Sequence, residues 1–262
     1  MSVPGDDPER AARWYREDCG YGNVDEIDLD DVAQQKGILV QSTELEGVLG
    51  LAMVERGQAG ICLAEDHRYP RRRRFTYAHE LAHLFLTRHY AILAGRDTPF
   101  VDEEINHLDP QDALEAEANA FAAELLAPRG RVRARLRTGD LDVSAAIGIG
   151  EAFQMSVTAS AIRIADASPQ DVAVAVFNSG ELSWIYESDD FPYGVPRRNW
   201  VAPRGTATLD VIAGRGNQTD AVEVSPHLWF PERQFGGYPD RVLESCLKLG
   251  RTGAFLTMLW VP

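Results

Sequence analysis

The chain has 262 residues, with 26 basic and 40 acidic side chains, a formal charge of −14 and 45 % hydrophobic residues. This composition suits a soluble globular protein with a sizeable core, and the acidic balance argues against broad contact with nucleic acid or anionic lipid. No apolar run approaches the ~18 residues of a membrane helix.

The start, Met1-Ser-Val-Pro-Gly-Asp-Asp-Pro, has neither the basic nor the apolar region of a secretory leader. Cys19, Cys62 and Cys246 are odd in number and far apart. They exclude a disulfide framework and a Cys-x-x-Cys zinc site, and the expected location is cytoplasmic.

Residues 8–19 read as a helix with Pro8 near its start, and 28–36 as an acidic helix ending at Gly37. Residues 38–40 read as a short strand. The apolar stretches 48–54 and 60–64 form a hairpin around Arg56-Gly57-Gln58. Residues 73–90 contain no Gly or Pro and predict one helix; 91–109 predict an acidic loop. A second strong helix spans Pro110 to Leu126, capped by Asp109 and stopped by Pro128.

Composition then shifts. Residues 129–138 are arginine-rich, and 142–166 read as two helices broken at Met155-Ser156, with Ser156 an N-cap. From Pro169 the pattern is strand-like: 172–177 and 182–186 as a hairpin, then 221–230 and 253–261. The fold class is α+β, with boundaries near 128 and 168.

The chemistry is concentrated in Arg74-Phe-Thr-Tyr-Ala-His-Glu-Leu-Ala-His-Leu-Phe-Leu. His79 and His83 are four apart, so they share a helix face and can bind one metal ion. Glu80 lies about 100° around the helix, placed to take a proton from a water held there. This helix is apolar nearly all round, so it should be buried, where two histidines and a glutamate are costly unless satisfied. A zinc ion satisfies them, with manganese the alternative. A lone His-Glu-x-x-His also occurs on solvated faces.

A second motif carries the decision. In Glu115-Ala-Glu117-Ala-Asn119-Ala-Phe121-Ala-Ala-Glu124, both Glu115 and Glu117 are candidate third ligands. Glu115 borders the apolar stripe of Leu114, Ala118, Phe121, Ala122 and Leu125, whereas Glu117 and Glu124 read as solvated. Glu115 is therefore the expected ligand. Asn119, one turn on, is expected to accept the free N–H of a ligand histidine.

The two motifs together resemble the ImmA/IrrE family of zinc metallo-endopeptidases, gluzincin-like proteins with a His-Glu-x-x-His core. The likeness covers residues 25–128 well and 129–168 loosely. It implies a zincin-like fold, zinc on His79, His83 and Glu115, and Glu80 as catalytic base. Members cleave helix-turn-helix repressors, which implies a protein substrate of that kind encoded nearby. Some carry a helix-turn-helix-like middle segment and a GAF-like sensor. The expected domains are thus a peptidase at 1–128, a helical segment at 129–168 and a sensor-like α+β domain at 169–262.

Tyr77, His89, Tyr90 and His107 are candidate oxyanion donors, with no basis for choosing. Cys62 reads as core. The arginines at 71–74 are expected to face solvent or to pair with the acids at 25–31. Direct DNA binding is not expected, because helix 157–166 offers only Arg163 to a groove. The competing reading is a metal-stabilised anti-repressor that binds a repressor and displaces it without cutting. An intact Glu80 argues for the enzyme.

Overall fold

The computed structural model describes residues 5–65, 68–95, 113–136, 141–189, 199–230, 239–250 and 253–262, with 191, 193, 194 and 196. The chain is mixed α+β and divides into two units. One is Met1–Pro128 with Ala152–Met155; the other is Arg129–Glu151 with Ser156–Pro262.

In the first unit, α1 (Pro8–Asp18) starts at Asp7, whose carboxylate accepts from the Arg10 N–H at 2.8 Å. Asp28 caps α2 (Leu29–Gln35) in the same way, and Gly37 follows at φ +68, a left-handed backbone suited to glycine. A three-stranded sheet comes next: β1 (Leu39–Thr43), β2 (Gly50–Glu55) and β3 (Gln58–Ala64), in the order β1-β3-β2. β2 and β3 pair antiparallel through Arg56 and Gly57, both at positive φ, which matches the strand twist. β1 joins β3 in parallel. Ile61 and Leu63 point into the core, but Cys62 alternates to the other face and is only half-buried, contrary to the core expectation.

The stretch expected as one helix over 73–90 is two. α3 (Pro70–Phe85) begins with proline at its first position and ends at Leu86, whose backbone is extended (φ −79, ψ 125). α4 (Thr87–Ala94) then starts in a new direction. Leu86 offers no cap, and the Asp6 carboxylate accepts from the Arg88 N–H at 2.9 Å instead. A distant side chain thus satisfies a helix start that the local residues do not mark. α5 (Ala113–Leu126) follows; its expected beginning at Pro110 and the loop from 96 lie outside the described residues.

α1, α3 and α5 share a core. Tyr15 stacks on Phe85 at 3.9 Å, with Phe121 edge-on to both, and Trp14 is edge-on to Tyr15. Arg16 is buried, and its guanidinium donates to the Leu125 carbonyl at 2.5 Å and the Asp25 carbonyl at 3.0 Å. A cation there satisfies carbonyls that the end of α5 leaves open. Glu124 is not solvated as expected: it is buried and accepts from Arg13 at 3.0 Å.

The second unit holds α6 (Arg129–Arg135), α7 (Val143–Ala152) and α8 (Val157–Ala167), the last capped by Ser156. Arg163 is buried and 3.5 Å from Asp166, so it is not offered to a groove. An antiparallel sheet is formed by β4 (Asp171–Asn178), β5 (Glu181–Glu187), β6 (Val222–Val224), β7 (Val242–Leu249) and β8 (Ala254–Val261), in the order β5-β4-β8-β7-β6. Helices α9 (Ala207–Ile212) and α10 (Pro226–Trp229) complete it. The strand expected at 221–230 is therefore only β6, because Pro226 starts a helix. β7 and α9 had no counterpart in the sequence reading.

Trp229 and Trp260 are buried in this unit. Glu244 is fully buried as well. It accepts from the Thr208 N–H and hydroxyl at 2.6 Å each and from Trp229 Nε1 at 3.1 Å.

Candidate metal centre

Every residue of α3 from Thr76 to Phe85 is buried. Its helical repeat sets His79 and His83 one above the other, with Nε2 atoms 3.1 Å apart. Across from them, α5 presents Glu115. Its Oε2 lies 2.9 Å from His79 Nε2 and its Oε1 3.6 Å from His83 Nε2. One ligand atom from each of the three falls within 4.8 Å of the others.

On the far side of His79, Nδ1 meets Asn119 Oδ1 at 3.0 Å. An Nδ1–H donated to that oxygen leaves the Nε2 lone pair facing the cluster. Of the two glutamates weighed as third ligand, Glu115 is the one against both histidines. Glu117 turns away, to Arg88 Nη2 at 2.7 Å and His89 Nε2 at 3.0 Å, so it is not simply solvated.

The donor set fits zinc: two imidazole nitrogens and a carboxylate, brought together out of water. Glu115 Oε1 is buried and, among the described residues, accepts no hydrogen bond. A buried carboxylate oxygen in that position is costly unless a cation meets it. Protonation follows the same geometry. Burial pulls the His79 imidazole down, but its hydrogen bond to Glu115 and the charges of Glu80 and Glu115 outweigh that and leave its pKa raised. Burial, then the neighbouring His79 and His89, push His83 down to about 2, so it stays neutral and ready to coordinate.

Glu80 is buried beside the cluster, and the β2 backbone closes over it at Gly50. The sequence reading missed Gly50, although a glycine inside a strand signals close backbone approach.

The candidate oxyanion donors separate. Tyr77 is buried, and burial raises its pKa, with the acids Asp30 and Asp28 of the α2 region adding to the effect. His89 is buried against the far nitrogen of His83. Tyr90 is half-buried. His107 lies outside the described residues. Of the arginines, Arg74 donates to the Ile27 carbonyl in the 25–31 stretch, while Arg73 reaches Ser42 and the Ala64 carbonyl.

No curated protein sequence matches the chain. A solved Mycobacterium tuberculosis transcriptional regulator has a similar fold: TM-score 0.54, 17 % identity, covering 97 % of this chain and 87 % of that one. The IrrE N-terminal-like domain (Peptidase_M78) matches residues 33–165, just over half of the chain. The two motifs on α3 and α5 fall inside that match, and the chain belongs to the ImmA/IrrE metallopeptidase family, of which this domain is the signature.

Proposed function

We propose that the protein is a zinc-dependent endopeptidase that cuts a regulatory protein at a specific site, a helix-turn-helix repressor encoded nearby being the expected substrate. The carrying observation is the convergence of buried His79 and His83 with half-buried Glu115 within 4.8 Å, next to buried Glu80. These three would hold the ion, and manganese would fit the same donors. Zinc, when bound, supplies a Lewis acid for the scissile carbonyl and acidifies water.

The chain's own residues would do the rest. Glu80, as carboxylate, accepts the proton of the attacking water and passes it to the departing amine. Asn119 holds the ring of His79. Among the described residues β2 is an edge of its sheet, so an extended substrate segment could add to it and run past Glu80. Residues 129–168 would help dock the substrate, and 169–262 would sense or gate, which requires a ligand with different affinity for two states. A surface of charge −14 suits a basic, DNA-binding partner in the cytoplasm, with association weakening as salt rises.

The test is Glu80→Gln, incubated with zinc and the neighbouring repressor. The variant should keep its metal and fold yet release no fragments, while the parent protein cuts at discrete positions. A Glu80→Gln protein that relieves repression in cells as well as its parent would instead support the non-cutting anti-repressor.

A further inference from the structure

His83 turns Nε2 into the ligand cluster, and its other nitrogen is also engaged. His83 Nδ1 lies 3.1 Å from His89 Nδ1, and His89 Nε2 lies 3.0 Å from Glu117 Oε2. Arg88 Nη2 holds the other Glu117 oxygen at 2.7 Å. His83 and His89 are both buried, whereas Glu117 is at the surface end, its side chain 27 % exposed.

The break at Leu86 makes this chain of contacts. Six residues along an unbroken helix would put His89 about 240° around and ~9 Å along from His83, out of reach. The turn into α4 folds it back, with ring centroids 5.0 Å apart.

Counting protons leaves one arrangement. Two Nδ1 atoms in contact can share only one proton. If the Nε2 lone pair of His83 is to face a metal ion, the single proton of that neutral ring sits on Nδ1 and is donated to His89. His89 Nδ1 must then be bare, its own proton lies on Nε2, and it is donated to the Glu117 carboxylate. The opposite tautomer of His89 would aim two N–H groups at each other, or drive the His83 proton onto Nε2 and block the ligand position.

We propose that His89 and Glu117 are positioning residues for the metal centre: Glu117 fixes the tautomer of His89, which fixes that of His83 and leaves its Nε2 open to the ion. This rests on the metal-site reading above. α5 would then serve both ligand histidines, His79 directly through Asn119 and His83 indirectly through Glu117.

The experiment uses the full chain and zinc alone, with affinity read by chelator competition. Glu117→Ala and His89→Phe should each weaken zinc by about 10–100-fold, the usual loss when a ligand's hydrogen-bond partner is removed. The double variant should be no weaker than His89→Phe, because Glu117 acts through His89. His89→Asn, which restores an acceptor, should recover part of the loss. Since Glu117 is partly exposed, its variant stays informative if His89→Phe fails to fold.

A second readout is the nitrogen-15 spectrum of zinc-bound protein labelled at its six histidines. It should show His83 as the Nδ1–H form and His89 as the Nε2–H form, with the His89 pattern changed in Glu117→Ala. Additive losses, unchanged zinc affinity in both single variants, or an Nδ1–H His89 would overturn the proposal. If His79→Ala and Glu115→Ala also bind zinc like the parent, the metal-site reading itself has failed; if they lose it while His89 and Glu117 variants do not, only the relay has.

Discussion

Gly50 and Glu80 meet so closely that no side chain fits between them. A Cβ on Gly50 would fall 2.7 Å from Glu80 Oε1, 2.9 Å from its Cγ and 2.6 Å from Thr76 Cγ2. Glu80 is buried and cannot swing into solvent, so an added methyl must displace the carboxylate or push β2 outward. Gly50→Ala should therefore bind zinc normally, since no ligand moves, yet lose about 10²-fold in turnover, the scale of a 1 Å misplacement. Gly60→Ala is the control, because its Cβ would find only 3.6 Å neighbours. Equal turnover in both variants would show that the Glu80 carboxylate is not held by this contact.

Removing Glu115 should remove the metal. Glu115→Ala takes away a carboxylate that faces both imidazoles, and should arrive metal-free after dialysis against stoichiometric zinc, with its circular dichroism intact. Metal analysis checks it. A variant that keeps one equivalent would mean that the ion sits elsewhere.

Zinc uptake should expel a proton. In the metal-free chain His79 has a raised pKa, held up by Glu115 and Glu80 against burial. The ion and the proton compete for the same nitrogen, so affinity rises with pH and falls, approaching tenfold per unit, once pH drops below that raised value. Titration calorimetry in buffers of different ionisation heat should count protons released on zinc binding, the number growing as pH falls toward and below that raised value. A count of zero would mean that His79 is already deprotonated.

Glu244 ties together α9, α10 and β7 by accepting from Thr208 and Trp229, and removing it orphans those buried donors. Glu244→Ala should cost about 1–3 kcal/mol per abandoned buried group, read by urea unfolding. Burial raises its carboxyl pKa despite these donors. The native state therefore holds the proton more tightly than the unfolded chain. Between the unfolded value near ~4.3 and the raised native one, this group makes stability fall as pH rises. Glu244→Gln should lack that contribution, so the gap between variant and parent should change across this window. A gap that stays constant would contradict it.

The convergence of His79, His83 and Glu115 was readable because it is local: helical spacing places His79 beside His83, and a stripe argument separates Glu115 from Glu117. Asn119 followed from the same phase. The break at Leu86 was not readable, since its cap comes from Asp6, far away in sequence. His89 and Glu117 were consequently judged one by one, as an oxyanion candidate and a solvated acid, when only the fold puts them in one chain of contacts. Glu124 misled for a similar reason: its partner Arg13 lies on another helix, and an acid at a polar phase gives no local sign of burial. In the second unit, β7 was missed because its buried Glu244 and Ser245 interrupt the apolar pattern, and the neighbours that satisfy them are distant in sequence.

The tryptophans are unevenly shared between the two units. Trp184, Trp200, Trp229 and Trp260 belong to the second; Trp14 alone belongs to the first, beside Tyr15 and 5.6 Å beneath the Lys36 ammonium. Intrinsic fluorescence is therefore a lopsided reporter. An emission melt of the whole protein follows mainly the sheet around Trp229 and Trp260, and the unit that carries His79 and His83 contributes through one indole on α1. Replacing Trp14 with phenylalanine would silence the indole emission of the first unit and leave the other four as a clean record of the second.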